Sequence, residues 1–352
     1  MQNCHRCSIV SIINSPCDVY LSATESYLLK KAINFFETKN FALKPLNDVI
    51  QFVNVDFKGF INSFKETNQF TETERQQILL AVLEHGKLIS PQDLFLTKSL
   101  DVWIELLQSD DLLNIIKDRK INIFFQPIFS ADKVKPYAFE CLSRGIAEDG
   151  RIIPPLYLFN QARILGLQFQ LDKLTREVAI EQAYNQGIKN HKIFINFLPT
   201  AIYNPRECLA TTMMAASQIG INPNNIVFEV VESEQVKDIS HLKSILDFYR
   251  EMGFKTALDD FGSGYASLKM LEILDVDYIK IDMHFIKDIY KDKFKQDIVN
   301  SIISLAKGKS IMTLAEGIET QREFECIKKL GIDLVQGYFF ARPSTSLLKY
   351  FL

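Results

Sequence analysis

Beyond residue 118 the chain falls into a repeating pattern in which short β-rich runs alternate with stretches at helical spacing. The runs are INIFFQPIF (121–129), YAFECLSRG (137–145), KIFINFL (192–198), IVFEVVESE (226–234), KTALDD (255–260), YIKID (278–282), IMTLAEG (311–317) and LVQGYFF (334–340). Between most of them lie segments whose apolar residues recur every three or four positions: 155–164, 172–187, 241–252, 287–306 and 321–330. Eight strands with helices between them predict an α/β fold of the (β/α)8 TIM-type barrel class, and a stretch of about 230 residues is long enough to form one. The gap between the first two runs, 130–135, is too short for a crossover helix and suits a hairpin. One strand of a modified barrel is therefore expected to run antiparallel to the rest.

The first 118 residues carry a less regular pattern and predict a smaller mixed α/β or mostly helical domain, with the barrel occupying 119–352. Residues 23–37 have helical spacing, and 47–55 read as a strand. Residues 70–85 open on a capping box, Thr71 followed three positions later by Glu74, and read as a helix. Residues 100–117 read as one or two more helices. No catalytic constellation occurs here, so a regulatory or dimerisation role of unknown input is expected. Cys4 and Cys7 form a CxxC with Cys17 nearby, which is half a zinc site or a redox pair at most, since no second pair at matching spacing exists.

Composition narrows the class of function. Of 352 residues 47% are hydrophobic and 24% charged, with a net charge of −3, so no basic surface for a DNA or RNA polymer is indicated. No apolar run approaches the length of a membrane span, and the N-terminus lacks a signal-peptide core, so a cytoplasmic protein with reduced thiols is expected.

Polar groups sit near the ends of the barrel runs: Glu140, Asn196, Glu229 with Glu232, Asp259 with Asp260, Lys280, Glu316 and Gln336. In such a barrel, groups at the C-terminal ends of different strands converge on one mouth. Glu140, Glu229, Asp259, Asp260 and the amide oxygen of Asn196 make an all-oxygen set that suits Mg²⁺ or Mn²⁺ and not zinc. So many carboxylates favour two ions sharing one aspartate, an arrangement suited to phosphoryl displacement. Lys280, in an apolar strand, would be costly without partners and can orient a nucleophile or take part in proton transfer. Arg144 offers a planar fork for a phosphate oxygen.

These residues fall in motifs. Glu140-Cys-Leu-Ser-Arg144, Asn196, Glu229-Val-Val-Glu232, Asp259-Asp-Phe-Gly-Ser-Gly264, Lys280-Ile-Asp282, Ala315-Glu-Gly-Ile-Glu319 and Gln336-Gly-Tyr resemble, in order and spacing, the EAL-domain family of cyclic di-GMP phosphodiesterases. The resemblance implies hydrolysis of cyclic di-GMP to linear pGpG by water activated between two Mg²⁺ or Mn²⁺ ions. It implies that Glu140, Asn196, Glu229 and Asp259 hold one ion and Asp259 and Asp260 the other, with Glu316 and Gln336 at positions that hold metal or water. Lys280 matches the position assisting the water, and Glu232 the one steadying the loop from Asp259 to Ser267. Gln126, Leu142, Arg144, Asp282, Glu319, Gln336 and Pro343 fall at substrate-contacting positions, and a homodimer through the barrel is implied. The chain departs from the family pattern at Cys141, Val231, Ser263 and Phe197-Leu198, none of which removes a ligand. Cys141 does put a thiol beside a ligand glutamate, where oxidation or a soft metal would inhibit. The alternative functions are a receptor that binds cyclic di-GMP without cleaving it, and an enolate-stabilising barrel enzyme using Mg²⁺ and a lysine. Receptors of the first kind usually lack a ligand or the lysine, and this chain lacks none. The second leaves the DDFGSG loop unexplained.

Overall fold

The computed structural model describes residues 16–39, 41–46, 48–65, 69–87, 97–108, 110–188, 190–231, 238–262 and 267–347. Contacts divide the chain into two compact units. The first extends to Lys120 and includes Ala147–Gly150 and Leu156–Gln170; the second comprises Ile121–Ile146, Arg151–Pro155 and Leu171 onward.

The first unit is an antiparallel sheet of β1 (Cys17–Ala23), β2 (Leu43–Leu46), β3 (Val49–Val55), β4 (Ile78–Glu84) and β5 (Lys98–Ser99), in the order β2-β3-β1-β4-β5. Alternation along β1 puts Val19 and Leu21 on one face with Phe52 and Leu80, their partners in β3 and β4, and all four are buried. Helix Ser26–Thr38 buries Leu28, Ala32, Phe35 and Phe36, and Phe36 stacks on Phe60 of helix Phe57–Lys65 with centroids 4.6 Å apart. Two further helices are Leu100–Gln108 and Asp110–Lys117.

One local expectation is corrected here, and one strand is added to those expected. The capping box forms, with Glu74 N–H donating to Thr71 Oγ1 and Thr71 N–H to the Glu74 carboxylate, but its helix ends at Gln77. Ile78–Glu84 is a strand paired with β1 along its whole length. The run ILLAVLE has no periodicity that separates a buried helix from a strand, and sheet pairing decided it. The central strand β1 was not anticipated, because CDVYLSA is short and carries a buried aspartate, Asp18. Cys17 lies in β1, its thiol pushed up to about 12 by burial and by Asp18. Cys4 and Cys7 lie outside the described residues.

The second unit is the barrel: β6 (Ile121–Ser130), β7 (Pro136–Ile146), β9 (Lys192–Asn196), β10 (Ile226–Val231), β11 (Lys255–Phe261), β12 (Tyr278–Ile281), β13 (Met312–Ala315) and β14 (Leu334–Val335), with the short β8 (Ile152–Ile153) added to β7. β6 pairs antiparallel with both β7 and β14, closing the ring, while the other neighbours around the ring are parallel and β8 adds antiparallel to β7 outside it. The hairpin between the first two runs therefore produces the one reversed strand. Each strand gives one residue to an apolar layer: Ile128, Ala138, Phe194, Val227, Ala257, Tyr278, Leu314 and Leu334. Helices Ile239–Glu251 and Lys293–Gly308 bury apolar faces, with Leu242, Ile245 and Leu246 in the first and Val299, Ile302 and Ile303 in the second. The latter begins later than its apolar spacing suggests, because Asp292 caps it by accepting from the Phe294 and Lys295 amides.

Candidate active site

Strand geometry turns the apolar layer into a polar one. Side chains on one face of a strand recur every second residue. Two positions beyond the layer along the seven parallel strands stand Glu140, Asn196, Glu229, Asp259, Lys280, Glu316 and Gln336, the last two one residue past the ends of β13 and β14, and two positions before it on reversed β6 stands Gln126. Every strand thus carries one polar side chain at the same level, and the barrel presents them as a ring.

Lys280 lies at the centre of this ring. Its buried ammonium stands 3.3 Å from Glu140, 3.2 Å from Glu229, 3.0 Å from Asp259 and 2.9 Å from Glu316. Burial pulls its pKa down, but these four carboxylates outweigh it and hold the amine well above its ordinary value, so it is an ammonium. Burial first, then the neighbouring acids, push the Glu229 and Glu316 carboxyls up against the pull of Lys280. Asp260 is raised to about 6 by burial and by Asp259 and Asp282. Amides complete the network: Asn196 Nδ2 donates to Glu229 Oε2 at 3.1 Å and Gln336 Nε2 to Glu140 Oε2 at 2.6 Å.

Five carboxylates around one ammonium leave a strongly negative centre, and the donor set fits hard divalent cations. Oxygen atoms of Glu140, Glu229 and Asp259 lie within 4.8 Å of one another, as do those of Asp259, Asp260 and Glu316. Asp259 belongs to both groups. Glu229 Oε1, fully buried, accepts no aligned hydrogen bond although Lys280 Nζ is 3.2 Å away, which leaves an acceptor suited to a cation.

Above the ring opens a cleft of about 280 Å³ lined by Gln126, Glu140, Asp260, Asp282, Glu316, Glu319 and Gln336, together with Met283, Gly317, Gly337 and Tyr338. Its rim is shaped by the approach of two loops: Ile318 N–H donates to Gln336 O, and Phe339 N–H to Ile318 O. A Cβ on Gly337 would come within 2.0 Å of Ile318 O, so only glycine allows this approach. Met283 and Tyr338, each 50% exposed, were not named as site residues; Tyr338 stands in the Gln336-Gly-Tyr motif, and the signal of Met283 lay only in being next to Asp282.

Three expected substrate contacts do not line the cleft. Arg144 is half-buried, its guanidinium 5.7 Å from the Phe124 ring centre and donating to Ser143 O. Leu142 is paired with Phe124 in the β6–β7 ladder, and Pro343 precedes Ser344, whose backbone bridges to Phe125. Asp282 lines the cleft and also caps helix Met283–Ile286 by accepting from His284 N–H. Glu232, Ser263 and Gly264 lie outside the described residues. Burial, reinforced by Glu140 and Glu229, lifts the Cys141 thiol well above its usual range.

A family model described as the EAL domain matches residues 109–343, and the chain belongs to that family. It is 27% identical over 241 residues to signaling protein YkoW of Bacillus subtilis (strain 168), covering 68% of this chain and 30% of that protein. Over 206 residues it is 32% identical to cyclic di-GMP phosphodiesterase PdeF of Escherichia coli (strain K12), covering 58% of this chain and 27% of that one. The chain thus spans less than a third of the length of these two relatives. A standalone versatile EAL protein from Vibrio cholerae O395, solved in its c-di-GMP bound form, is similar with a TM-score of 0.60 at 36% identity, over 64% of this chain and 94% of that one. Among the described residues no helix is long and apolar enough to cross a membrane.

Proposed function

We propose that this chain is a metal-dependent phosphodiesterase that hydrolyses cyclic di-GMP to linear pGpG. The observation that carries the reading is the complete ring of one polar side chain per strand, with Asp259 common to two carboxylate triads around Lys280. In this reading Glu140, Asn196, Glu229 and Asp259 would hold one Mg²⁺ or Mn²⁺, and Asp259, Asp260 and Glu316 the other. Two such ions, when bound, neutralise phosphate charge and lower the pKa of water.

The remaining work falls to the chain's own groups. Lys280 Nζ, protonated among four carboxylates, donates hydrogen bonds and orients water, and it keeps the negative ring compatible with a dianionic substrate. Gln336 and Asn196 fix the carboxylates of Glu140 and Glu229 by donating to them. Gln126, Asp282 and Glu319 face the cleft and would contact the dinucleotide, with Arg144, Leu142 and Pro343 acting from beyond its walls. Glu232 would steady the loop after Asp259. The N-terminal 118 residues are assigned a regulatory or dimerisation role, and the barrel is expected to pair with a second copy in the cytoplasm.

The test is incubation of the purified chain with cyclic di-GMP and Mg²⁺, Mn²⁺ or EDTA. Metal-dependent pGpG supports the reading; tight binding without product favours the receptor alternative, which the intact ligand set makes the weaker one.

A further inference from the structure

Against the turn that follows β9 lies a buried ion pair that the proposed chemistry does not use. Asp172 and Arg176 stand one turn apart on helix Gln168–Asn185, both essentially inaccessible to solvent. The guanidinium meets Asp172 Oδ2 through Nε at 3.0 Å and Nη2 at 2.9 Å, and its Nη1 donates to Thr212 Oγ1. The other carboxylate oxygen, Oδ1, accepts the backbone N–H of Leu198 at 2.8 Å.

That amide belongs to the turn that leaves β9 immediately after Asn196. Three successive residues are tied down there by different partners. Asn196 Nδ2 donates to Glu229 Oε2, Phe197 N–H to Glu229 O at 3.1 Å, and Leu198 N–H to Asp172. With Nδ2 so engaged, the amide Oδ1 of Asn196 is the atom left for a cation. A buried ion pair adds little stability over an apolar pair of similar volume. What an apolar pair could not supply is an acceptor for the Leu198 amide, 26 residues away in sequence.

We propose that Asp172, braced by Arg176, is a positioning residue for Asn196: it fixes the turn after β9 through Leu198 N–H and so sets the direction of the Asn196 amide. The inference rests on the reading of Asn196 as a metal-facing residue.

The experiment compares Mn²⁺ binding by calorimetry, thermal unfolding in EDTA, and turnover for wild type, three variants of the full chain and the control Asn196→Ala. Asp172→Leu with Arg176→Met removes the charges and the acceptor. Asp172→Asn with Arg176→Met removes the charges and keeps an acceptor. Leu198→Pro removes the donor and leaves the buried pair untouched, so the question stays answerable if the leucine variant fails to fold. Expected are a loss of Mn²⁺ affinity of about 10-fold or more in the first and third, with the asparagine variant within about 3-fold of wild type. Wild-type affinity in both the first and third variants would overturn the inference alone. Absence of Mn²⁺ binding by wild type, or its persistence in Asn196→Ala, would overturn the site reading and the inference with it.

Discussion

Asp259 accepts the backbone N–H of its neighbour Asp260 on its own Oδ1 at 2.9 Å, and Asp260 adopts a left-handed backbone with φ of 53°. Consecutive strand residues normally face opposite sides of a sheet. Here the β11–β12 register shifts between Leu258 and Phe261, and this irregularity lets two adjacent carboxylates join one triad. Aspartate and asparagine tolerate such a backbone; alanine loses roughly 1 kcal/mol or more in it. Asp260→Asn should therefore unfold at or above the wild-type temperature in the metal-free protein while turnover falls steeply, whereas Asp260→Ala should lose turnover and unfold below Asp260→Asn. Equal unfolding temperatures for the two variants would show that the backbone is unstrained.

Lys280 is the counter-charge of the ring. Lys280→Met leaves Glu140, Glu229, Asp259 and Glu316 without an ammonium, and breaking a buried pair costs about 3–5 kcal/mol. Thermal unfolding in EDTA should drop sharply in this variant, and saturating Mg²⁺ should recover most of the loss while turnover stays low. Unchanged unfolding in EDTA would contradict the assignment.

Protons and cations compete at Asp260. Its folded pKa of about 6 lies above the ordinary carboxylate value, so the metal-free fold binds this proton more tightly than the unfolded chain does. The metal-free protein should gain stability from this group as pH falls from about 6 toward about 4. Mn²⁺ affinity should weaken through the same window, because binding requires the carboxylate. Calorimetry from about pH 8 to about pH 5, paired with unfolding in EDTA, reads both; a flat affinity across that range would contradict the prediction.

The barrel was legible because its strands are short apolar runs spaced by helices, and the ring was legible because each polar group sits at a fixed offset near a strand end. What escaped the sequence depends on three-dimensional pairing. Ile78–Glu84 became a strand by lying along β1, the shift before Phe261 is a property of the backbone, and Asp172 reads as an ordinary helix residue until the Leu198 amide is brought to it. The last run, 334–340, shortened to Leu334–Val335 because the chain turns at Gly337 to meet Ile318.

Glu323 joins two parts of the cleft rim. Its buried carboxylate accepts from the amides of Asp288 at 2.9 Å, Glu319 at 3.0 Å and Thr320 at 2.9 Å, linking the segment after Asp282 to the loop carrying Glu316 and Glu319. Glu323→Gln turns one acceptor into a donor facing an N–H, and should cost about 1–3 kcal/mol of stability. Kinetically it should raise KM for the dinucleotide more than it lowers kcat, since the rim loosens and the ring does not. A fall in kcat at constant KM would place the effect on the ring.

The central claim is that the Lys280-centred ring hydrolyses cyclic di-GMP with the help of divalent cations. Its most direct test is chromatography of the nucleotides after incubating the wild-type chain and Asp259→Asn with cyclic di-GMP, in Mg²⁺, Mn²⁺ or EDTA. The account predicts pGpG from wild type with either ion, none in EDTA, and none from Asp259→Asn under any condition. Product formed in EDTA, or by Asp259→Asn as fast as by wild type, would contradict it.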